Sequence, residues 1–137
     1  MGIAVTDDHR ELAEVARGFL TAQQARAASR ALLDATEEGR PPFWGELASL
    51  GWLGLHIAEE HGGSGFGLPE LVVVVEELGR AVAPGPFLPT VIASAVIAAA
   101  GTPEQQARLL PGLIDGSVTA GVGLAGGVAL DGGVASG

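Results

Sequence analysis

The stretch "TVIASAVIAAAG", Thr90 to Gly101, is apolar on nearly every side of a helix, and it constrains the fold more than any other feature. A helix with no polar face is buried within a bundle or turned toward a ligand or partner. Packing in a core is the default, and the wall of a pocket for an apolar ligand is the alternative. The run is about half the roughly 20 residues that a membrane-spanning helix needs, so no membrane segment is expected.

The rest of the chain offers helices to surround it. "TDDHRELAEVARGFLTAQ" places Thr6 as N-cap and Asp7 and Asp8 in the first turn, with Leu12, Val15, Ala16, Phe19 and Leu20 on one stripe. This amphipathic helix extends through "QARAASRALLDA" after a bend, until "EEGRPP" breaks it. "PFWGELASLGW" predicts a short helix with Pro42 near its first turn and Phe43, Leu47 and Leu50 inward. Gly51 then stands where a left-handed C-terminal residue is wanted, and Trp44 and Trp52 anchor the packing.

A further helix starts at Pro69 and runs through "ELVVVVEELGRAV", with Leu71, Val72, Val75 and Leu78 as its buried face. Four consecutive valines suit a strand, but the proline start and the Glu-Glu-Leu-Gly-Arg finish favour helix. "APGPFLP" reads as a rigid turn. Thr102, Pro103 and Gln105 form a capping-box start to "EQQARLLPGLIDG". The tally is five or six helices.

After Gly116 the composition changes. Val118, Ala120, Val122 and Leu124 alternate as in a strand, which predicts a helical domain over 1–116 and the opening of a β domain over 117–137. The fold class is therefore mainly α, a helical bundle followed by the opening of a β segment.

Composition narrows the chemistry. Sixteen acidic residues against seven arginines, with a net charge of −9, repel nucleic acid and anionic membrane surfaces, so neither is expected as a partner. Without cysteine there is no disulfide, thiolate metal site or cysteine nucleophile. The N-terminus lacks the basic and apolar regions of a signal peptide, and the chain is expected to be soluble and cytoplasmic.

"EEHGGSGFGLPE" lacks the spacing and the lysine of a phosphate-binding loop, so it reads as a hinge between helices. His56 and His61 are five apart, not four as on one helix face, and no metal site is expected. Glu76 and Glu77 point about 100° apart on a helix and read as a solvated face rather than a proton-transfer pair. Ser64, Ser94 and Ser117 have no neighbouring His-Asp pattern, so no nucleophile is assigned.

Four motifs in order carry a family resemblance: "WGELASLGWLGL", "EEHGGSGFGLPE", "VVEELGRAVAPGPF" and "AGTPEQQARLLPGLIDG". Their order and gaps resemble the N-terminal helical domain of acyl-CoA dehydrogenases over about residues 5 to 124. The resemblance implies a helical domain followed by a β-barrel and a C-terminal helical bundle, with FAD as cofactor and an acyl-CoA thioester desaturated between Cα and Cβ. It places the catalytic glutamate in the C-terminal bundle, so Glu59, Glu60, Glu76 and Glu77 are not expected to be the base, and no catalytic residue is assigned.

The resemblance also implies that the helix after "EELGR" lines the acyl pocket, which maps onto Phe87, Leu88, Val91, Ile92, Ser94 and Ala95. Small Ala93, Ser94 and Ala95 leave room for a broad or polycyclic acyl group. Where the family continues "ALTEPGAGSD" toward flavin and thioester, this chain has Leu124, Ala125, Gly126 and Gly127. The Thr, Glu and Pro positions are thus replaced. That departure resembles the cofactor-poor subunit of bacterial acyl-CoA dehydrogenases built from two different chains, as in sterol side-chain breakdown. It implies a homo- or hetero-oligomer in which FAD is not held by this chain alone, and its second reading is a non-catalytic structural partner.

Overall fold

A computed structural model describes residues 5–37, 39–123 and, for the backbone, 129–131 and 134–136. The described residues form six α-helices: α1 (Asp7–Ala22), α2 (Ala25–Ala31), α3 (Trp44–Ser49), α4 (Leu68–Arg80), α5 (Phe87–Ala100) and α6 (Pro103–Ile114). Short 3-10 turns at Leu32–Asp34, Trp52–Gly54 and Glu59–His61 join them.

The helix starts follow from the caps. The Thr6 hydroxyl accepts from the His9 amide at 3.2 Å, while His9 Nδ1 accepts from the Thr6 amide at 3.3 Å. A histidine thus takes the place of the usual Glu or Gln in the capping box. Thr102 and Gln105 make the same reciprocal pair at α6, at 3.2 and 2.9 Å. The bend between α1 and α2 falls at Gln24, whose φ of 51° is left-handed.

The core gathers Ala16 and Leu20 of α1, Phe43 and Leu47 around α3, and Leu71, Val74 and Leu78 of α4. Phe19 meets Trp52 edge to face at 5.3 Å and Phe43 at 6.2 Å, a geometry worth about 0.5–1.5 kcal/mol per pair beyond area burial. Both tryptophans are buried. Trp44 also fixes the end of the bundle: its Nε1 donates to the Gly116 carbonyl at 2.9 Å, as does Arg40 Nη1 at the same distance. Gly116 turns with φ 76°, and a Cβ there would lie 2.8 Å from that of Ala48.

Three inward assignments shift. Leu50 is 44% exposed, because α3 ends at Ser49 and Gly51 turns the chain away. Val72 is 45% exposed, whereas Val74 is fully buried; the α4 stripe is Leu71, Val74, Val75 and Leu78, and Val72 lies one step, about 100°, off it. Val15 is exposed as well. "APGPFLP" is only partly a turn, since α5 begins at Phe87 with Pro89 in its first turn.

From Thr119 to Gly123 the chain has no ladder partner among the described residues, and Leu124, the last position of the expected alternation of Val118, Ala120 and Val122, lies outside them. The Ala120 amide is instead taken by the Thr90 hydroxyl at 3.2 Å. The strands observed are β1 (Ala129–Asp131) and β2 (Val134–Ser136), a short antiparallel pair.

Candidate functional site

The helix that most constrained the sequence reading has two unlike faces. Phe87, Thr90, Val91 and Ser94 follow a helical spacing and are all buried. On the other face Leu88 is 51%, Ile92 38% and Val96 60% exposed, with Ala95 half-buried beside them. Of the six residues assigned to an acyl wall, Phe87, Val91 and Ser94 therefore pack into the bundle. Leu88, Ile92 and Ala95 share the outward face. Val96, one turn on from Ile92, belongs with them and was legible only from that spacing.

The buried face is held by a polar cluster that the sequence did not announce. His56 Nε2 lies 3.1 Å from the Val91 carbonyl and 3.2 Å from Ser94 Oγ, and that hydroxyl donates to the Val91 carbonyl at 3.0 Å. A carbonyl only accepts, so Nε2 carries the proton and Nδ1 is the bare nitrogen. Nδ1 is buried without a hydrogen-bond partner among the described residues. Burial pushes the His56 pKa below its ordinary value, partly offset by the bond to Val91. His56 thus stands as a neutral clamp on the middle of α5.

The glycine loop is a folded hinge. The amides of Gly62, Gly63, Ser64, Gly65 and Phe66 donate to the carbonyls of Glu59, Ala58, Gly54, Ile57 and Leu55, at 2.9 to 3.1 Å. The Gly67 amide donates to Glu70 Oε2 at 2.9 Å. With every one of these donors spent, the loop cannot wrap a phosphate, and it offers no cradle for the pyrophosphate of FAD. Gly63 sits so close to the preceding turn that a Cβ would lie 2.1 Å from the Ile57 carbonyl oxygen. The segment Leu124, Ala125, Gly126 and Gly127 lies outside the described residues.

The remaining candidates separate. Glu76 is solvent-facing and pairs with Arg80. Glu77 is not on a solvated face as expected: its side chain is 6% exposed and Arg17 of α1 binds it, because α1 packs along α4 and covers that side. His9 Nε2 makes a second bridge between these helices, 3.0 Å from Glu70 Oε1, and this bond, with the Gly67 amide, lowers the Glu70 pKa. His61 lies 3.7 Å from its neighbour Glu60 while His56 is turned to α5. Among the described residues no group of three His, Cys, Asp or Glu is placed to hold a metal ion, and no helix is long and apolar enough to cross a membrane.

Residues 6–117 match the family described as acyl-CoA dehydrogenase, N-terminal domain, and the chain belongs to the acyl-CoA dehydrogenase family. Acyl-CoA dehydrogenase FadE34 of Mycobacterium tuberculosis is 36% identical over 96% of this chain and 19% of its own length. Acyl-CoA dehydrogenase FadE12 of the same species is 44% identical over 56% of this chain and 20% of its own length.

Among solved structures, the Tcur3481-Tcur3483 steroid ACAD G363A variant superposes with a TM-score of 0.71 and 39% identity, over 85% of this chain and 32% of that one. The ChsE4-ChsE5 complex from Mycobacterium tuberculosis gives 0.69 and 28%, over 86% and 30%. The chain thus spans about a fifth of these curated relatives and about a third of these solved chains.

Proposed function

We propose that this chain forms the acyl-facing helical wall of an FAD-dependent, cytoplasmic acyl-CoA dehydrogenase that desaturates an acyl-CoA thioester between Cα and Cβ. The observation that carries the reading is the outward face of α5. Leu88, Ile92 and Val96 stay exposed while the opposite face is buried and clamped by His56. Leaving a continuous apolar strip in water is unfavourable, by about 25 cal/mol per Å², so the strip suits an acyl chain on one side and a neighbouring subunit on the other. In this reading Leu88, Ile92 and Ala95 touch the acyl group, while Phe87, Val91 and Ser94 set the position of the helix. Residues 1–116 are the helical domain and 117–137 open the β domain.

The flavin and the base come from outside the described residues. When bound, FAD supplies the hydride acceptor; what this chain's own side chains do is bind, orient and exclude water. Both solved relatives are named for two components, which supports a hetero-oligomer of this chain with another acyl-CoA dehydrogenase chain. A non-catalytic supporting subunit is the second reading, and the loss of the Thr, Glu and Pro positions at Ala125, Gly126 and Gly127 favours it.

The test is a dye-reduction assay with acyl-CoA on the assembly captured from source cells through a tag on this chain. The reading predicts turnover that falls when Ile92→Glu is placed in the tagged chain. Turnover unchanged by Ile92→Glu contradicts it.

A further inference from the structure

A cavity lies between α1, α2 and α4, lined by no residue of α5. It is a cleft of about 420 Å³ lined by Arg17, Leu20, Ala25, Arg26, Arg80 and Ala81, with Glu77 among its walls. Three of the seven arginines of a chain with net charge −9 meet there, and the cleft has a floor: Leu20 is 2% and Ala25 1% exposed.

The charges around it do not cancel. Glu77 is occupied by Arg17 through both carboxylate oxygens, and Arg80 lies 4.0 Å from it. Arg80 pairs with the exposed Glu76. Arg26 has no carboxylate within ion-pair distance among the described residues; its Nη2 donates to the Arg80 carbonyl at 3.1 Å, at the C-terminal end of α4. That single bond leaves most of the five guanidinium donors of Arg26 unspent. Arg17 and Arg26 flank the Gln24 bend, with its left-handed φ, and Arg26 and Ser29 of α2 donate to the Arg80 and Val82 carbonyls at the end of α4.

We infer that this cleft binds an organic carboxylate with an apolar body, its head on Arg26 and Arg80 and its tail over Leu20, Ala25 and Ala81. A monoanion suits an excess of about one positive charge, and a guanidinium fork matches a carboxylate. Inorganic phosphate fits poorly, because a strongly hydrated dianion gains nothing from an apolar floor. The site is separate from the outward face of α5 and does not depend on it.

The test is ¹H–¹⁵N NMR titration of the chain with octanoate, acetate and inorganic phosphate. Octanoate is expected to saturate and to shift the amides of Leu20, Ala25 and Ala81, with acetate and phosphate weaker by roughly tenfold or more. Arg26→Gln with Arg80→Gln is expected to weaken octanoate by roughly tenfold, and Arg10→Gln to leave it unchanged. No saturation by about 10 mM, shifts confined to α5, or equal affinity in the double variant overturns the inference. If the double variant does not fold, the shift map of the unsubstituted chain decides.

Discussion

Arg17 donates to both oxygens of Glu77, from Nε at 3.2 Å and from Nη2 at 2.9 Å, and so ties α1 to α4 across sixty positions of sequence. The carboxylate is nearly buried and the guanidinium is half in water. Removing Arg17 leaves this buried carboxylate with only Arg80, 4.0 Å away, whereas removing both partners leaves no buried charge. Arg17→Gln should therefore destabilise the chain clearly, and should be nearly neutral in a Glu77→Gln background. Urea unfolding of the four proteins checks this; equal losses in both backgrounds would show that the pair is not coupled.

The hinge reading of the glycine loop has a sharper test. Gly63→Ala forces a methyl group against the Ile57 carbonyl, at 2.1 Å before relaxation. Backbone on backbone cannot yield as a flexible side chain does, so the cost should exceed about 3 kcal/mol, at or beyond the upper end of ordinary overpacking. Gly62→Asn, at a left-handed φ of 86° with open space around it, should cost far less. Calorimetric melting of the two variants distinguishes them.

His56 makes stability depend on pH. Its unfolded pKa is about 6.5, and the folded value is lower because burial disfavours the imidazolium. Between the two values the unfolded chain binds more protons, so stability rises with pH. The contribution is complete above the unfolded pKa and is lost as pH falls toward the folded one. Glu70 acts in a lower window, since its depressed pKa makes it lose stability only below the usual carboxylate value. Urea midpoints from pH 5 to 7.5 should climb for the native chain and flatten in His56→Gln; a slope unchanged by the substitution would assign it to other groups.

Ala95 tests the acyl wall. In the assembled enzyme, Ala95→Phe adds a ring to the outward face of α5 and should weaken bulky acyl-CoA substrates more than short ones. One methylene in an apolar pocket alters discrimination by about 1–3 kcal/mol, and a ring should alter it by no less. Steady-state kcat/KM for a short and a polycyclic acyl-CoA gives the ratio, and equal losses would remove Ala95 from the pocket.

Most of the helical frame was legible because it rests on local rules. Thr6 and Thr102 cap, Pro69 and Pro103 sit in first turns, and Gly51 turns left-handed, each as its residue type dictates. The valine run was harder: four alike residues carry no phase, so Val72 and Val74 changed places between surface and core. Pairings between distant segments left no local mark. Glu77 looks like any helix carboxylate until α1 covers it, and His56 looks idle until α5 lies against it. The same limit applies to α5 itself. Its composition said that most of it should be covered, and only the fold showed that Leu88, Ile92 and Val96 are the part left open.

The central claim is that this open face is completed by a flavin-bearing chain. Native mass spectrometry of the chain purified gently from its source cells tests it in one spectrum, through chain masses and bound flavin together. The account predicts a complex with another acyl-CoA dehydrogenase chain that carries FAD. A flavin-free species of this chain alone, with no partner, would contradict it.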